Sequence, residues 1–456
     1  MKLHIKAAAA GIALFCASAA TAQTTYSGYF LDNYTYRYQL NPAFAPESGF
    51  AGMPAIGNFN LAMRGNLHVS DVVYNVDGKT VLFTNPGVSA SEVMSGIKDR
   101  NRIGLATKFD LLSAGWKAWG GFNAITVSAV ANANISIPKA FFSLAKEGVE
   151  NRTYDIRDMF GNANAYAQIA LNHSRDIKQV PGLRAGAALK FYVGVGNLDF
   201  QFNRADLTLG TESWRAVTNA NVYASVGGLK FDHKTNDKSG REYVSGANID
   251  GFGINGFGMG LDLGAEYKWN DFRFSVAVLD LGFISWGKTQ WASTDGDRTI
   301  DTGAYTFNAD DDAPNSFSNE WDRLSDDLAE LYQLSDMGEL SSRTRAMAAT
   351  LNFGVEYEFP LYRKLRFGVL NSTVINGKYT WNQTRISANV SPLRFLSASV
   401  NMEAGSYGVG FGWLLNIYTK GINFFAGMDH TLGKLAKPGV PLNSNASFNV
   451  GLNFPF

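Results

Sequence analysis

One cysteine, five histidines and no surplus of charge leave this 456-residue chain few routes to chemistry. Cys16 falls in an N-terminal stretch with the form of a secretory leader. The processed chain is therefore expected to have no disulfide, no thiolate nucleophile and no cysteine metal ligand. His68, His173, His233 and His430 remain, and no two are spaced as ligands on one face, so neither a metal nor a cofactor is expected. Forty basic residues against forty acidic ones give no footprint for nucleic acid and no polybasic membrane patch. Beyond the leader there is no run of eighteen apolar residues, and a mean hydropathy of −0.11 is too low for a bundle of membrane helices.

What is abundant is glycine, 47 residues, and aromatics, with 32 Phe, 19 Tyr and 9 Trp. The leader spans residues 1–22: Lys2 and Lys6, the apolar stretch Ala7 to Ser18, then Ala20-Thr21-Ala22 as a cleavage site, with Gln23 first in the mature chain. Cys16 follows Phe15 rather than a small residue, so no lipid anchor is expected.

From residue 58 onward, apolar and polar residues alternate with period two, the pattern of a wall wetted on one face. In Asn58 to Val69 the apolar set is Phe59, Leu61, Met63, Leu67 and Val69, against Asn58, Asn60, Arg64, Asn66 and His68. The same pattern predicts strands near 58–69, 103–112, 121–137, 163–174, 183–195, 256–269, 272–284, 345–359, 365–375, 379–390, 393–404, 406–418, 421–430 and 446–456. Connections after even-numbered strands are short, and most after odd-numbered strands are long, notably 196–255 and 285–344. That asymmetry belongs to a transmembrane outer-membrane β-barrel of about fourteen antiparallel strands, with both termini periplasmic in a Gram-negative cell. Residues 58–456 form the barrel on this reading, with outer-membrane lipid as its solvent. Phe448, Val450, Leu452, Phe454 and Phe456 end the chain in an alternating row, the form of signal that barrel-assembly machinery reads at a terminal residue such as Phe456.

Two segments lie outside the wall. Residues 23–57 hold Tyr26, Tyr29, Phe30, Tyr34, Tyr36, Tyr38 and Phe44 with Pro42, Pro46 and Pro54. Disorder has no use for so many aromatics, so the segment is expected to act as a plug or gate, with Tyr29, Phe30, Tyr36, Asn41, Pro42, Ala43 and Phe44 as its candidate residues. Two inward glycine rows, Gly258, Gly260, Gly264 and Gly408, Gly410, Gly412, are expected to make room for it. Between Asp295 and Glu339 there are thirteen acidic and two basic residues. Ser318 to Leu334 reads as a short external helix with Trp321, Leu324, Leu328 and Leu331 on one stripe, and with Asp326 and Asp327 it is a candidate docking loop for a surface protein.

Catalysis finds little support. Gly251-Phe-Gly-Ile-Asn-Gly256 spells a dinucleotide motif but opens a strand instead of a helix. His173 and Ser174 are adjacent on a strand and so point to opposite faces. No enzyme activity is expected. The inward rows carry both signs of charge, Arg64, Asp262, Glu266 and Arg273 foremost, which describes an ion-paired lumen and not a greasy conduit.

At Tyr29-Phe-Leu-Asp32, Thr35 to Pro46, Ala118-Trp-Gly-Gly-Phe-Asn123 and Val278 to Trp286, the chain resembles a Bacteroidetes outer-membrane family, domain of unknown function 5723. Asn41-Pro42-Ala43 ahead of the first strand is more distantly similar to the superfamily of long-chain fatty-acid transporters and the type IX secretion barrel. The resemblance implies an N-terminal hatch that moves for a small apolar ligand, with only Asn41, Pro42 and Ala43 carrying over. Two functions are open on this reading: a gated pore or carrier for small hydrophobic or amphipathic molecules, and a non-transporting scaffold or receptor docking a surface or secreted protein.

Overall fold

A strand whose side chains alternate between lipid and water has a free row of N–H and C=O groups on each edge, and in a membrane only closure removes those edges. The computed structural model shows that solution. It describes residues 25–147, 152–157, 159–209, 214–236, 240–251, 253–294, 298–301, 333–431, 435–437, 440–441 and 445–456. The wall is made of β1 (Phe59–Gly65), β2 (Arg100–Ala118), β3 (Gly121–Pro138), β4 (Phe160–Asp176), β5 (Leu183–Leu209), β6 (Gly256–Trp269) and β7 (Phe272–Ser293). It continues with β8 (Ala349–Glu358), β9 (Leu365–Ile375), β10 (Trp381–Leu393), β11 (Leu396–Gly405), β12 (Gly408–Thr419), β13 (Ile422–Met428) and β14 (Ala446–Pro455). Each pairs antiparallel with its neighbours in the chain. β1 closes the cylinder, Phe59 lying opposite Phe109 of β2 on one side and Val450 of β14 on the other. The count and order of the fourteen expected strands hold.

Outward rows are apolar and exposed, as in Phe257, Met259, Leu261 and Leu263 on β6 or Leu351 and Phe353 on β8. A continuous band of this kind is unstable against water and stable against hydrocarbon, which makes this a transmembrane barrel. Among the described residues, no helix is long and apolar enough to cross a membrane. Inward rows are buried and polar, including Asn60, Lys108, Asp110, Ser128, Asn132, Asp262 and Glu356.

One rim carries tight turns such as Trp119-Gly120, Asn270-Asp271 and Lys420-Gly421. The other carries the long excursions. Between β1 and β2 a hairpin (Val73–Val76 with Lys79–Leu82) and helix α1 (Ala90–Gly96) pack with α2 (Lys139–Glu147) around Leu67, Val88, Val93, Ile97 and Phe142. Ser89 caps α1, its Oγ accepting the Glu92 N–H at 3.1 Å.

Three differences from the sequence reading bear on the site. First, Phe50–Gly52 is a wall strand, pairing Ala51 with Phe454 and with Ala114, so the wall begins inside the segment expected to lie wholly outside it. Second, β7 runs past its expected end at 284 to Ser293, where it meets the external hairpin that alternation at 205–209 and 214–226 predicts, β5 pairing with Trp214–Val226 and Asn221 facing Ser293. Third, the expected strand 345–359 is broken. β7 pairs with β8 up to Leu279 opposite Thr350, then from Phe283 opposite Ala346 with a separate strand, Ser335–Ala346, in what had read as loop. The expected helix at 318–334, with Trp321, Leu324, Asp326, Asp327 and Leu328, and the leader 1–22 lie outside the described residues.

Candidate functional site

Residues 25–49 turn back into the cylinder from the short-turn rim. With tyrosine at every second position from 34 to 38 and prolines after it, the segment forms only two short 3-10 turns, Tyr26–Gly28 and Thr35–Gln39. Its aromatic side chains, Tyr26, Tyr29, Phe30, Tyr34, Tyr36, Tyr38 and Phe44, are at most 5% exposed. Two apolar cores result: Tyr34, Tyr36, Tyr38 and Phe50 against Phe122, Leu414 and Phe425, and Tyr26, Tyr29, Phe30 and Phe44 against Leu370, Val374 and Trp381.

Polar contacts spread the attachment around the wall. Tyr29 OH lies 3.1 Å from Ser275 Oγ, Tyr36 OH 3.0 Å from Ser113 Oγ and Tyr38 OH 2.8 Å from Thr126 Oγ1. The Thr25 and Ser27 hydroxyls donate to Asp429 Oδ1 at 2.7 and 2.8 Å. Asn41 Nδ2 donates to the carbonyls of Ala265 and Val276, each at 3.2 Å, and its Oδ1 accepts the Ala43 N–H at 2.9 Å. Here the wall is thinned for the plug: a Cβ on Gly264 would lie 2.0 Å from Asn41 Oδ1, and one on Gly186 2.1 Å from the Pro42 carbonyl oxygen.

Of the two glycine rows expected to accommodate the plug, Gly264 alone meets it. Gly258 and Gly260 face Phe283 and Tyr192 of the wall, Gly410 and Gly412 face the Glu403 and Arg385 cluster, and Gly408 is at a turn with φ of 94°. Other glycines that meet it, among them Gly186, Gly354 and Gly368, lie on three further strands, because the plug touches the wall at many places around the cylinder.

The expected lumen charges separate into three knots. Arg64 lies 3.7 Å from Asp429 and over the rings of Tyr26 and Trp381, beside the Arg385–Glu403 pair and His430. Asp262 takes Lys190 at 2.8 Å, and Lys190 also reaches Asp280 at 2.7 Å. Glu266 and Arg273 (2.9 Å) belong to a third knot, in which Arg37, Arg273 and Arg366 converge on Asp32 at 2.7, 2.6 and 2.6 Å. The enclosure of Asp32 opposes its ionisation, but the three guanidiniums outweigh that and hold its carboxyl well below its ordinary value of 3.8. A depressed folded-state value means that this anchor is intact above pH 4 and is lost only as pH falls through the lower value. Asp32→Asn should weaken plug docking at neutral pH by roughly 1–2 kcal/mol, a discounted figure because the carboxylate is 37% exposed. Hydrogen exchange across residues 25–49 reads this directly. Protection relative to the intrinsic exchange rate should be flat from pH 5 to 8 in the parent and lower at every pH in the variant, and equal protection would remove the anchor role.

Above the plug is a cavity of about 90 Å³ floored by Gln39 and Lys108, with Tyr166, Trp286, Asn132 and Asp280 among its walls. A second cavity of about 580 Å³ shares Asn162, Asp199, Asp280, Arg345 and Met347 with it, and extends to Leu281 and Ile375, which point outward. The two meet where β7 changes partner. Asp280 has φ of 58°, a left-handed value that aspartate tolerates, and its N–H donates to Asp262 Oδ1 at 2.7 Å in place of a ladder partner. The β8–β9 ladder stops at Ala349 opposite Ile375, whereas Ser335–Ala346 continues, paired on one side only among the described residues. No strand pairing joins that strand to β9 among the described residues.

A family model described as "Family of unknown function (DUF5723)" matches residues 42–429. The chain belongs to this family. No curated protein matches it. Among solved structures, this DUF5723 barrel is similar to a Pseudomonas aeruginosa FadL homologue, at 10% identity over 96% of this chain and all of the other, TM-score 0.42. It is also similar to the toluene transporter TodX of P. putida, at 10% identity over 91% and 92% of the two chains, TM-score 0.40. The CymD monoaromatic hydrocarbon channel is similar at 10% identity over 96% and 94%, TM-score 0.41.

The residues that sequence reasoning passed over in this DUF5723 barrel are Asp32, Gln39, Asp280 and Asp429. The slip of the outward row from Phe274, Val276 and Val278 to Leu281 and Phe283, a spacing of three in place of two, does mark Asp280 in the sequence. His173 is hydrogen bonded to Asn123 (2.9 Å), and Ser174 points the other way, into the lumen, near Arg184.

Proposed function

We propose that this DUF5723 barrel is an outer-membrane conduit for small hydrophobic or amphipathic molecules, with its long loops outside the cell, its short turns in the periplasm and residues 25–49 as the gate. The observation that carries the reading is that two neighbouring cavities share Asn162, Asp199, Asp280, Arg345 and Met347 and together reach from above the plug to the outward-facing Leu281 and Ile375. A molecule seated above the plug has polar groups at one end, Asp199, Arg343 and Arg345, and apolar ones at the other, Val130, Ile284, Trp286 and Met347. From there the unpaired stretch between Ala346 and Ile375, at the upper edge of the apolar band beside Leu281 and Phe283, gives its apolar part a path to lipid without crossing the charged lower lumen. Water and ions lack that incentive, and the plug closes the axial route to them.

Ala346 lines both cavities. Ala346→Trp should reduce uptake of an apolar fluorescent dye into protein-containing liposomes to the rate of protein-free liposomes, while the barrel still migrates as a folded species on unheated gels. Dye uptake that is unchanged in a folded variant would contradict a route through these cavities.

A further inference from the structure

Most lumen cations sit beside carboxylates: Lys190 has Asp262 and Asp280, Arg273 and Arg366 have Asp32, and Arg385 has Glu403. Lys108 differs. It is buried on β2, and no described carboxylate lies within ion-pair distance of it. Its Nζ donates to Gln39 Oε1 at 2.8 Å, a neutral amide that belongs to the plug. Asp110, the acidic group two residues on, is already engaged, accepting from Gln39 Nε2 at 2.8 Å, Asn58 Nδ2 at 3.1 Å and Ser128 Oγ at 2.7 Å. Gln39 and Lys108 together form the floor of the 90 Å³ cavity, beneath Tyr166 and Trp286.

An ammonium bonded to a neutral amide exchanges that partner for a carboxylate with a gain, because the carboxylate brings a full opposite charge into an enclosed site where the attraction is weakly screened. We propose that this cavity takes a small organic monoanion, its carboxylate replacing Gln39 Oε1 on Lys108 and its body lying against Tyr166 and Trp286, and that the exchange loosens the plug at Gln39, which keeps its bonds to Asp110 and Asn58. The inference rests on the carrier reading and names its ligand class. Asp110, Asp262 and Asp280 surround the floor with only Lys108 and Lys190 to balance them, so a dianion is disfavoured there. Size agrees with charge: a cavity this small holds one ring or a short chain beside the carboxylate.

Benzoate and benzyl alcohol, alike in shape and different in charge, are the probes, titrated calorimetrically into the full chain in lipid nanodiscs. Benzoate should bind about tenfold or more tighter than benzyl alcohol. Lys108→Met should abolish the difference and leave benzyl alcohol unaffected. Benzoate alone should speed hydrogen exchange over Tyr36 to Leu40. Equal affinities in the parent, or a preference for benzoate that survives Lys108→Met, would overturn the anion site and leave the carrier reading standing. Binding of neither probe would overturn both. If Lys108→Met does not assemble, Lys108→Gln, which keeps a donor to Gln39 but no charge, is scored by the same criteria.

Discussion

Removing residues 23–48 should raise single-channel conductance in planar bilayers by about an order of magnitude or more. A fourteen-strand cylinder lies between the small barrels that side chains fill and the larger ones that hold an aqueous channel, so its lumen conducts unless something occupies it. Here the occupant is the N-terminal segment, with its aromatic residues buried and its polar atoms tied to strands on every side of the wall. The deletion must stop short of Phe50, because Phe50–Gly52 is hydrogen bonded to both β2 and β14 and a longer cut opens the wall itself. Conductance unchanged in a folded deletion variant would mean that the external loops, not residues 25–48, close the lumen.

Gly186→Val combined with Gly264→Val should reproduce most of that increase without removing a residue. Each new side chain would start at a Cβ about 2 Å from a plug atom, Pro42 O in one case and Asn41 Oδ1 in the other. Overpacking of this kind typically costs about 1–3 kcal/mol per site. Both positions are strand positions that valine favours, so the expense falls on plug docking and not on the wall. Gly196→Ala, whose Cβ would meet only Val226 Cγ2 at 3.3 Å, is the matched control and should conduct like the parent. Protease access at Asn41 should rise in step with conductance. A closed, protected double variant would show that the Asn41-Pro42 seat is dispensable.

The wall was legible because lipid on one side and water on the other impose a period of two on every strand, and nothing else in a chain of this composition does so. The reading failed where that constraint lapses. Above the bilayer, Ser335–Ala346 forms a strand in what looked like acidic loop, since side chains there meet water on both faces, whereas the hairpin of β5 with Trp214–Val226 kept enough alternation, at 205–209 and 214–226, to be expected. The break at Asp280 left a mark, the one-residue slip between Val278 and Leu281, but one irregular step does not reveal which strand leaves which. The crowd of aromatics at 26–44 disclosed that the segment is packed. Its partners were not readable, because the paired Ser113 and Thr126, Ser275 and Asp429 come from three distant parts of the chain and carry no local sign of their role. The glycine seats were misread for a related reason. A row along one strand is visible as a pattern, whereas single glycines on separate strands become a surface only once the cylinder is closed.

The seam at Phe50–Gly52 sets an order of events during biogenesis. Its partners Phe454 and Pro455, and Asp429, which holds Thr25 and Ser27, are synthesised some four hundred residues later. Residues 25–52 thus have no binding surface until residues 429–455 arrive. Contacts spanning some four hundred residues form slowly, and through that interval the tyrosine-rich segment is exposed and adhesive. Holding factors have the most to protect in this segment, and a mutation that slows closure of β14 onto β1 will first be seen as aggregation through the aromatics of residues 26–44.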